Sequence, residues 1–284
     1  MNIVTVGTFD GVHRGHKEVL SVLKDEACKK HLHPVAVTFD RHPLATIAPE
    51  RAPELVMSPD DRDRLLESEG IRVLRLPFDE SLRRMTVKEW LETLRDKYQA
   101  GEIVLGYDNT FGSDGRNMSF DEYSRIAREL GLEIIVAPQV EGCSSTAVRK
   151  AVKKGDMAEA AAILGRPFFI TGKVTAGRQI GRTIGFPTAN VSVDNHQLVP
   201  ARGVYAALVE TDGREYRSVV NVGNAPTVAG ANPLRIEAHL IGFDGDLYGR
   251  HIKIEFLRRI RDEKKFDSLE ALKLQIAEDI SQVK

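Results

Sequence analysis

The sequence predicts an α/β unit built on a parallel sheet, followed by a small antiparallel β-barrel that closes with a C-terminal helix. Three observations predict it. In the first half, short β-branched runs alternate with stretches of helical periodicity, the pattern of a parallel sheet covered on both faces. In the second half, runs that alternate polar and apolar residues are joined at close-spaced turns such as Asp212-Gly213 and Asp244-Gly245. Between them, an alanine-rich helical stretch stops at Gly165 and Pro167. A chain of 284 residues exceeds the usual single domain. The expected division is residues 1–165 and 166–284.

The first strand is Ile3-Val4-Thr5-Val6, ending at Gly7. The next residues, Thr8-Phe9-Asp10-Gly11-Val12-His13-Arg14-Gly15-His16, run into Lys17–Lys24, whose apolar positions recur at helical spacing. Further strands are expected at residues 34–40, 73–77, 102–106 and 133–137, separated by helical patterns near 61–68, 86–98 and 119–130. Val148 to Leu164 reads as continuously helical. Beyond the joint, strands are expected at 168–174, 203–209, 216–222, 235–241 and 251–257, and a helix over 268–281.

Composition removes several classes of function. Lys and Arg number 40 against 41 Asp and Glu, a formal charge of -1, which argues against a coat for nucleic acid or a polybasic membrane binder. No run approaches the roughly 18 apolar residues that a membrane span needs. The N-terminus lacks the pattern of a secretion signal. The two cysteines, Cys28 and Cys143, have no metal-type spacing. A reducing cytoplasm is the expected location, with neither nucleic acid nor membrane as partner; the oligomeric state is not legible.

In a parallel sheet, ligands bind beyond the carboxyl ends of the strands. Residues with chemistry in them collect there: Gly7 to His16, Asp40-Arg41-His42-Pro43, Gly106 to Gly112, and Cys143-Ser144-Ser145-Thr146. Free N–H groups at a helix start favour anions. His13 and His16 stand three apart and share a face if the helix opens near them. Two imidazoles over such a helix end suit charge developing on a phosphate; two surface histidines are the plainer reading. Ser144, Ser145 and Thr146 precede another amphipathic helix, where capping alone accounts for hydroxyl residues. Capping and phosphate binding use the same N–H groups, and Arg149 adds a cationic donor. There is no G-x-x-x-x-G-K-[ST] loop, and the first turn lacks G-x-G-x-x-G with its distant acidic residue.

His13-Arg14-Gly15-His16 and Ser144-Ser145-Thr146-Ala147-Val148-Arg149 resemble the H-x-G-H and S-S-T-x-x-R elements of the nucleotidyltransferase superfamily, which has a Rossmann-like parallel sheet. With Phe9-Asp10-Gly11-Val12 in front, the stretch resembles the adenylyltransferase module of prokaryotic bifunctional riboflavin kinase/FAD synthetases. The resemblance implies that His13 and His16 engage ATP phosphates and stabilise the transition state as FMN attacks the α-phosphorus. It also places Gly7, Phe9, Asp10, Gly15, Ser144, Ser145, Thr146 and Arg149 in the nucleotide site, and Asp108 at the flavin. Two positions depart from the pattern. Asn109 stands where the family usually has Phe, and Arg41 where Pro usually follows Asp40. A missing ring there weakens FMN binding or moves the stacking partner elsewhere.

In the second half, the stretch from Gly177 to Asn190 is rich in glycine ahead of Thr188 and Asn190. Such backbone wraps phosphate oxygens, and Thr188 and Asn190 offer hard oxygen ligands to magnesium; a surface hairpin is the plainer reading. Glu237 alternates with Ile236 and Ala238, so it points away from them, as a solvent carboxylate or as a base facing a substrate hydroxyl. Gly185-Phe186-Pro187-Thr188-Ala189-Asn190, Asn221 to Thr227, Tyr248-Gly249 and Leu257 to Phe266 are similar to the riboflavin kinase module of the same family. That similarity implies ATP–magnesium held by Thr188 and Asn190 with Gly177 and Gly181 in the nucleotide loop. It implies Glu237 as the base for the ribityl hydroxyl and Arg261 on the flavin side.

The expected function is therefore an enzyme with two activities in flavin cofactor synthesis, whose substrates are riboflavin, FMN and ATP, with Mg2+ as cofactor. Two alternatives stand beside it: a riboflavin kinase whose adenylyl transfer is impaired, and a flavin- or nucleotide-sensing regulator on the same scaffold.

Overall fold

The computed structural model describes residues 1–176, 185–224 and 234–283, and they form two compact units. One comprises Met1–Leu55 and Pro59–Ser145; the other comprises Val56–Ser58 and Thr146–Lys284. The boundary by contacts therefore falls at Ser145/Thr146, ahead of the Gly165 stop, because the helices between them pack with the barrel.

The first unit contains β1 (Asn2–Val6), α1 (Arg14–Lys30), β2 (His33–Phe39), a single turn α2 (Leu44–Ile47), α3 (Pro59–Ser68) and β3 (Arg72–Leu76). It continues with α4 (Glu80–Arg84), α5 (Val87–Asp96), β4 (Ala100–Leu105), α6 (Phe120–Glu129) and β5 (Glu133–Val136). The strands are parallel in the order β3-β2-β1-β4-β5. β1 lies at the centre, and its β-branched residues Ile3 to Val6 are all buried, as a strand covered on both faces requires. One core gathers Val4, Val6, Val37, Ile103 and Leu105 with Trp90, Leu91 and Leu94 of α5 and Tyr123 of α6. Capping boxes start both helices: Thr86 with Glu89 for α5, and Ser119 with Glu122 for α6.

The order reverses at β1, whose two neighbours β2 and β4 lead the chain to opposite edges. That makes the ends of β1 and β4 the switch point, where open parallel sheets bind ligands. The turn from Gly7 to His16 follows β1, and residues 106–112 follow β4.

From Thr146 on, the second unit contains the rest of α7 (Ser145–Lys154) and α8 (Met157–Leu164). The sequence predicts one helix here. The structure breaks it because Gly155 takes φ +77° and Asp156 caps α8, accepting from the Glu159 N–H. The strands β6 (Phe168–Thr175), β7 (Ala189–Ser192), β8 (Gly203–Thr211), β9 (Arg214–Asn224), β10 (Leu234–Leu240) and β11 (His251–Arg261) close into a barrel in the order β10-β7-β6-β11-β8-β9, and α9 (Leu269–Ser281) follows. β7 is an element the sequence reading treats as loop. Phe168, Tyr205 and Phe256 are fully buried, with ring centroids 5.4–6.1 Å apart. Ile280 and Val283 lie against Val204, Ala206 and Val219, which alternate with the interior residues, so the C-terminal helix covers part of the barrel's outside.

Candidate active sites

In the first unit, His13 is the N-cap of α1, and its Nδ1 accepts the His16 N–H at 3.3 Å. An accepting Nδ1 leaves the ring proton on Nε2. The His13 and His16 rings stack with centroids 3.7 Å apart and 19° between planes. Phe9 meets the His16 ring edge-on at 5.3 Å. The Nδ1 of His16 is buried with no hydrogen-bond partner. Burial, reinforced by the neighbouring His13, holds the His16 pKa well below 6.5. The pair is thus a stacked couple set at the start of a helix, in which burial favours the neutral form of His16.

The turn that delivers it is held in unusual conformations. Phe9 and Val12 have φ of +47° and +39°, and Gly11 has +86°. A left-handed β-branched residue costs of order 1–3 kcal/mol and persists only where its surroundings enforce it. The surroundings do. The Thr8 carbonyl accepts from Arg62 Nη1 at 3.3 Å and Thr38 Oγ1 at 3.4 Å. The Asp10 carbonyl accepts from Ser145 Oγ at 2.8 Å. A Cβ at Gly15 would stand 3.2 Å from the His13 ring and 3.4 Å from the Cys143 carbonyl, so a side chain there presses first on His13.

Arg62 escaped the sequence reading. It is buried, paired with Asp63 at 2.8 Å, and its pKa is lowered by burial against the opposing pull of Asp63. Nothing in the charged run Asp60-Asp61-Arg62-Asp63-Arg64 marks one guanidinium as internal. Asn109 also has a definite place, donating from Nδ2 to the Val6 carbonyl and so tying the loop after β4 to the end of β1. Asp40 accepts the Phe78 N–H at 3.0 Å and pairs with the exposed Arg41.

Gly7, Phe9, Asp10, His13, Gly15, His16 and Ser145 are thereby gathered around one turn. Ser144 is exposed in the same unit, and Asp108 is exposed after β4. Thr146 and Arg149 belong to the second unit.

On the barrel, Ala189 and Val191 are buried while Asn190 faces outward. Ile236, Ala238 and Leu240 are buried while Arg235, Glu237 and His239 are partly exposed. Glu237 pairs in register with Asn190 of β7 and with Asn221 of β9. Directly opposed residues share a face, so Asn190, Glu237 and Asn221 form one row across three strands. Thr188 precedes Asn190 by two and is half-buried. Arg235 Nη1 lies 3.3 Å from Glu237 Oε1. Asn221 as a side chain beside Glu237 is a consequence of register, which a single strand does not display. Gly177 and Gly181, and residues 225–227 of the predicted Asn221 to Thr227 segment, lie outside the described residues.

Arg261 is engaged within the protein. Its Nε and Nη2 donate to both carboxylate oxygens of Asp279 at 2.9 and 2.8 Å, its Nη1 donates to the Asp262 carbonyl, and its guanidinium lies 5.8 Å from the Phe266 ring centroid. Asp279 is fully buried on α9. Among the described residues, no three His, Cys, Asp or Glu side chains gather as a metal site.

A parallel-sheet unit with paired histidines at its switch point, followed by a barrel with an outward acid–amide row, defines a protein of two parts, each with its own candidate site. Family models agree: FAD synthetase matches residues 1–150 and riboflavin kinase matches residues 164–284. The chain belongs to the bifunctional riboflavin kinase/FMN adenylyltransferase family. It is 38% identical to the protein of that name from Escherichia coli (strain K12), covering 98% of this chain and 90% of the relative. It is 34% identical to that of Bacillus subtilis (strain 168), with the same coverage. Among solved structures, it matches one titled a macrolide-efflux protein from Streptococcus pneumoniae, with a TM-score of 0.90 and 34% identity over 99% of this chain and 93% of that one. That title names transport, whereas the family models and curated relatives name flavin chemistry. Among the described residues, no helix is long and apolar enough to cross a membrane.

Proposed function

We propose that the chain makes FMN and then FAD, with one reaction in each unit. The barrel transfers the γ-phosphoryl group of ATP to riboflavin, giving FMN and ADP. The parallel-sheet unit transfers AMP from a second ATP to FMN, giving FAD and pyrophosphate. The observation that carries the reading is that each unit holds its own constellation, the stacked histidines in one and the Asn190–Glu237–Asn221 row in the other. We assign residues 1–165 to adenylyl transfer and 166–284 to the kinase, in a reducing cytoplasm where Cys28 and Cys143 stay free thiols.

In the kinase, Glu237 takes the proton of the ribityl hydroxyl as its oxygen attacks the γ-phosphorus and ADP departs. Its partly exposed carboxylate stands on the outward face that Asn190 shares, within reach of a substrate laid against the barrel. Thr188 and Asn190 supply a hydroxyl and an amide carbonyl, donors that suit Mg2+ arriving with nucleotide phosphates better than a closed protein cage. Bound there, the cation neutralises polyphosphate charge. Arg261, fixed by Asp279, offers the flavin its outer face and the neighbouring Phe266 ring.

In the adenylyltransferase, an FMN phosphate oxygen attacks the α-phosphorus and pyrophosphate leaves. The helix start and the two imidazoles face the charge that builds on the phosphate oxygens. Neutral His16 has a buried, unpartnered nitrogen, and a polyanion beside it favours the protonated ring, so the site becomes cationic as substrate fills it. Ser144 and Ser145 hold the triphosphate, Gly7, Phe9, Asp10 and Gly15 shape the turn, and Asp108 meets the flavin.

The test is an end-point assay separating riboflavin, FMN and FAD. The whole chain given riboflavin, ATP and Mg2+ accumulates FAD; His16→Ala stops at FMN; Glu237→Gln makes no FMN yet converts supplied FMN to FAD. Both variants losing both reactions equally refutes the division of labour. A kinase with impaired adenylyl transfer is the second reading. Asn109 favours it, because an amide bound to the Val6 carbonyl offers the flavin no ring; direct assay with FMN separates the two.

A further inference from the structure

The outward face of β10 carries three polar side chains in succession, Arg235, Glu237 and His239, and the chemistry above uses the middle one. His239 reaches across to the segment that precedes β7. Its Nδ1 lies 2.8 Å from the carbonyl oxygen of Pro187, and its ring meets Phe186 edge-on with centroids 5.7 Å apart and planes at 80°. A carbonyl only accepts, so Nδ1 carries the proton and His239 is the donor.

The place of this bond gives it a consequence. The β7–β10 ladder runs Val191–Ile236, Asn190–Glu237 and Ala189–Ala238, and it ends there. The residue just before β7 is Thr188, and before it Pro187 has no N–H with which to extend the ladder. The His239 side chain supplies the missing tie. Thr188 is therefore bracketed, by the last ladder pair on one side and by the Pro187 carbonyl on the other. Both anchors lie on β10, the strand that carries Glu237.

We propose that His239 is a positioning residue of the kinase site, holding Thr188 at the nucleotide phosphates in register with Glu237. The inference rests on the reading of Thr188 as a nucleotide contact. His239 touches no reacting atom; it acts through the Pro187 carbonyl. Loss of its N–H weakens the grip on ATP and leaves the base untouched.

The test compares donor and non-donor variants in the whole chain. His239→Asn keeps an N–H near the position of Nδ1, His239→Leu has nearly the same shape without it, and His239→Phe keeps the ring against Phe186. Riboflavin phosphorylation is measured across ATP concentrations, with adenylyl transfer to supplied FMN as the control. Removal of one hydrogen bond predicts a rise of about 5–10-fold in KM for ATP in the Leu and Phe variants, with kcat within about twofold. The Asn variant restores KM to within about threefold on the same basis. Should the Leu variant unfold, the Phe variant carries the comparison with Asn. Unchanged KM for ATP in both non-donors overturns the proposal. So does equal impairment of Asn and Leu, or a fall in kcat with KM unmoved. Thr188→Val separates the two layers: an unchanged KM for ATP in that variant defeats the underlying reading, whereas a raised one beside unaffected His239 variants defeats only the role of His239.

Discussion

Replacing either partner of the Arg261–Asp279 pair distinguishes a flavin contact from a structural clamp, and the structure predicts unequal costs. The Asp279 side chain is 2% exposed and that of Arg261 is 21% exposed. Arg261→Gln leaves a buried carboxylate that still accepts from Gln275 Nε2 at 3.2 Å, and stranding such a charge costs about 3–5 kcal/mol. Asp279→Asn leaves a guanidinium that rehydrates at its exposed edge and keeps the Asp262 carbonyl, so we expect about 1–2 kcal/mol, the scale of a lost charged hydrogen bond. The sole tryptophan, Trp90, lies in the first unit, so its fluorescence reports that unit and serves as the internal control. Urea inactivation of riboflavin phosphorylation reports the barrel. With an m-value of about 2 kcal/mol/M, the inactivation midpoint falls by about 2 M for Arg261→Gln and about 0.5–1 M for Asp279→Asn, while the Trp90 transition stays in place. Midpoints that shift equally, or not at all, refute the argument from burial. In that event, a raised KM for riboflavin in Arg261→Gln with unchanged stability makes the residue a flavin contact alone.

Two further outcomes follow from the first unit. His16 takes up its proton near pH 6.5 when unfolded but well below that when folded, so the unfolded chain binds more protons in the interval; stability is full above pH 6.5 and declines as pH falls, by at most about 1.4 kcal/mol per pH unit. Trp90-monitored unfolding from pH 7.5 to 5 shows this slope, and His16→Gln flattens it; parallel profiles contradict the burial of a neutral ring. Thr86→Ala removes the hydroxyl that accepts the Glu89 N–H at 3.3 Å and costs about 1 kcal/mol in the same fluorescence assay, against no change if the capping box is decorative.

Local chemistry made much of this molecule readable. The run Ile3 to Val6 read as a buried strand because it is β-branched and ends at Gly7; its central place follows from the strand order. The turn after it carried its own signals in Gly11, Gly15 and the spaced histidines, and the structure joins those residues at a switch point. What stayed hidden depends on long-range register. β7 shows no apolar run, only Ala189-Asn190-Val191-Ser192, and it is a strand because β6 and β10 pair with it. Arg62 is internal because the order β3-β2-β1 brings α3 to the Thr8 carbonyl. The predicted continuous helix from Val148 breaks at Gly155-Asp156, a glycine and a capping residue whose joint meaning the alanine-rich flanks obscured. Arg261 read only as a flavin-side residue, and its partner Asp279, 18 residues on, was not visible from the sequence.

Inside the barrel Tyr205, Phe168 and Phe256 pack together, while the proposed Asn190–Glu237–Asn221 row stands on the outward face. On that reading a flavin lies against the wall rather than within it. Substitutions inside the barrel therefore change how firmly the wall stands, whereas lengthening or recolouring the segments above it changes what the enzyme accepts, and the two can vary independently.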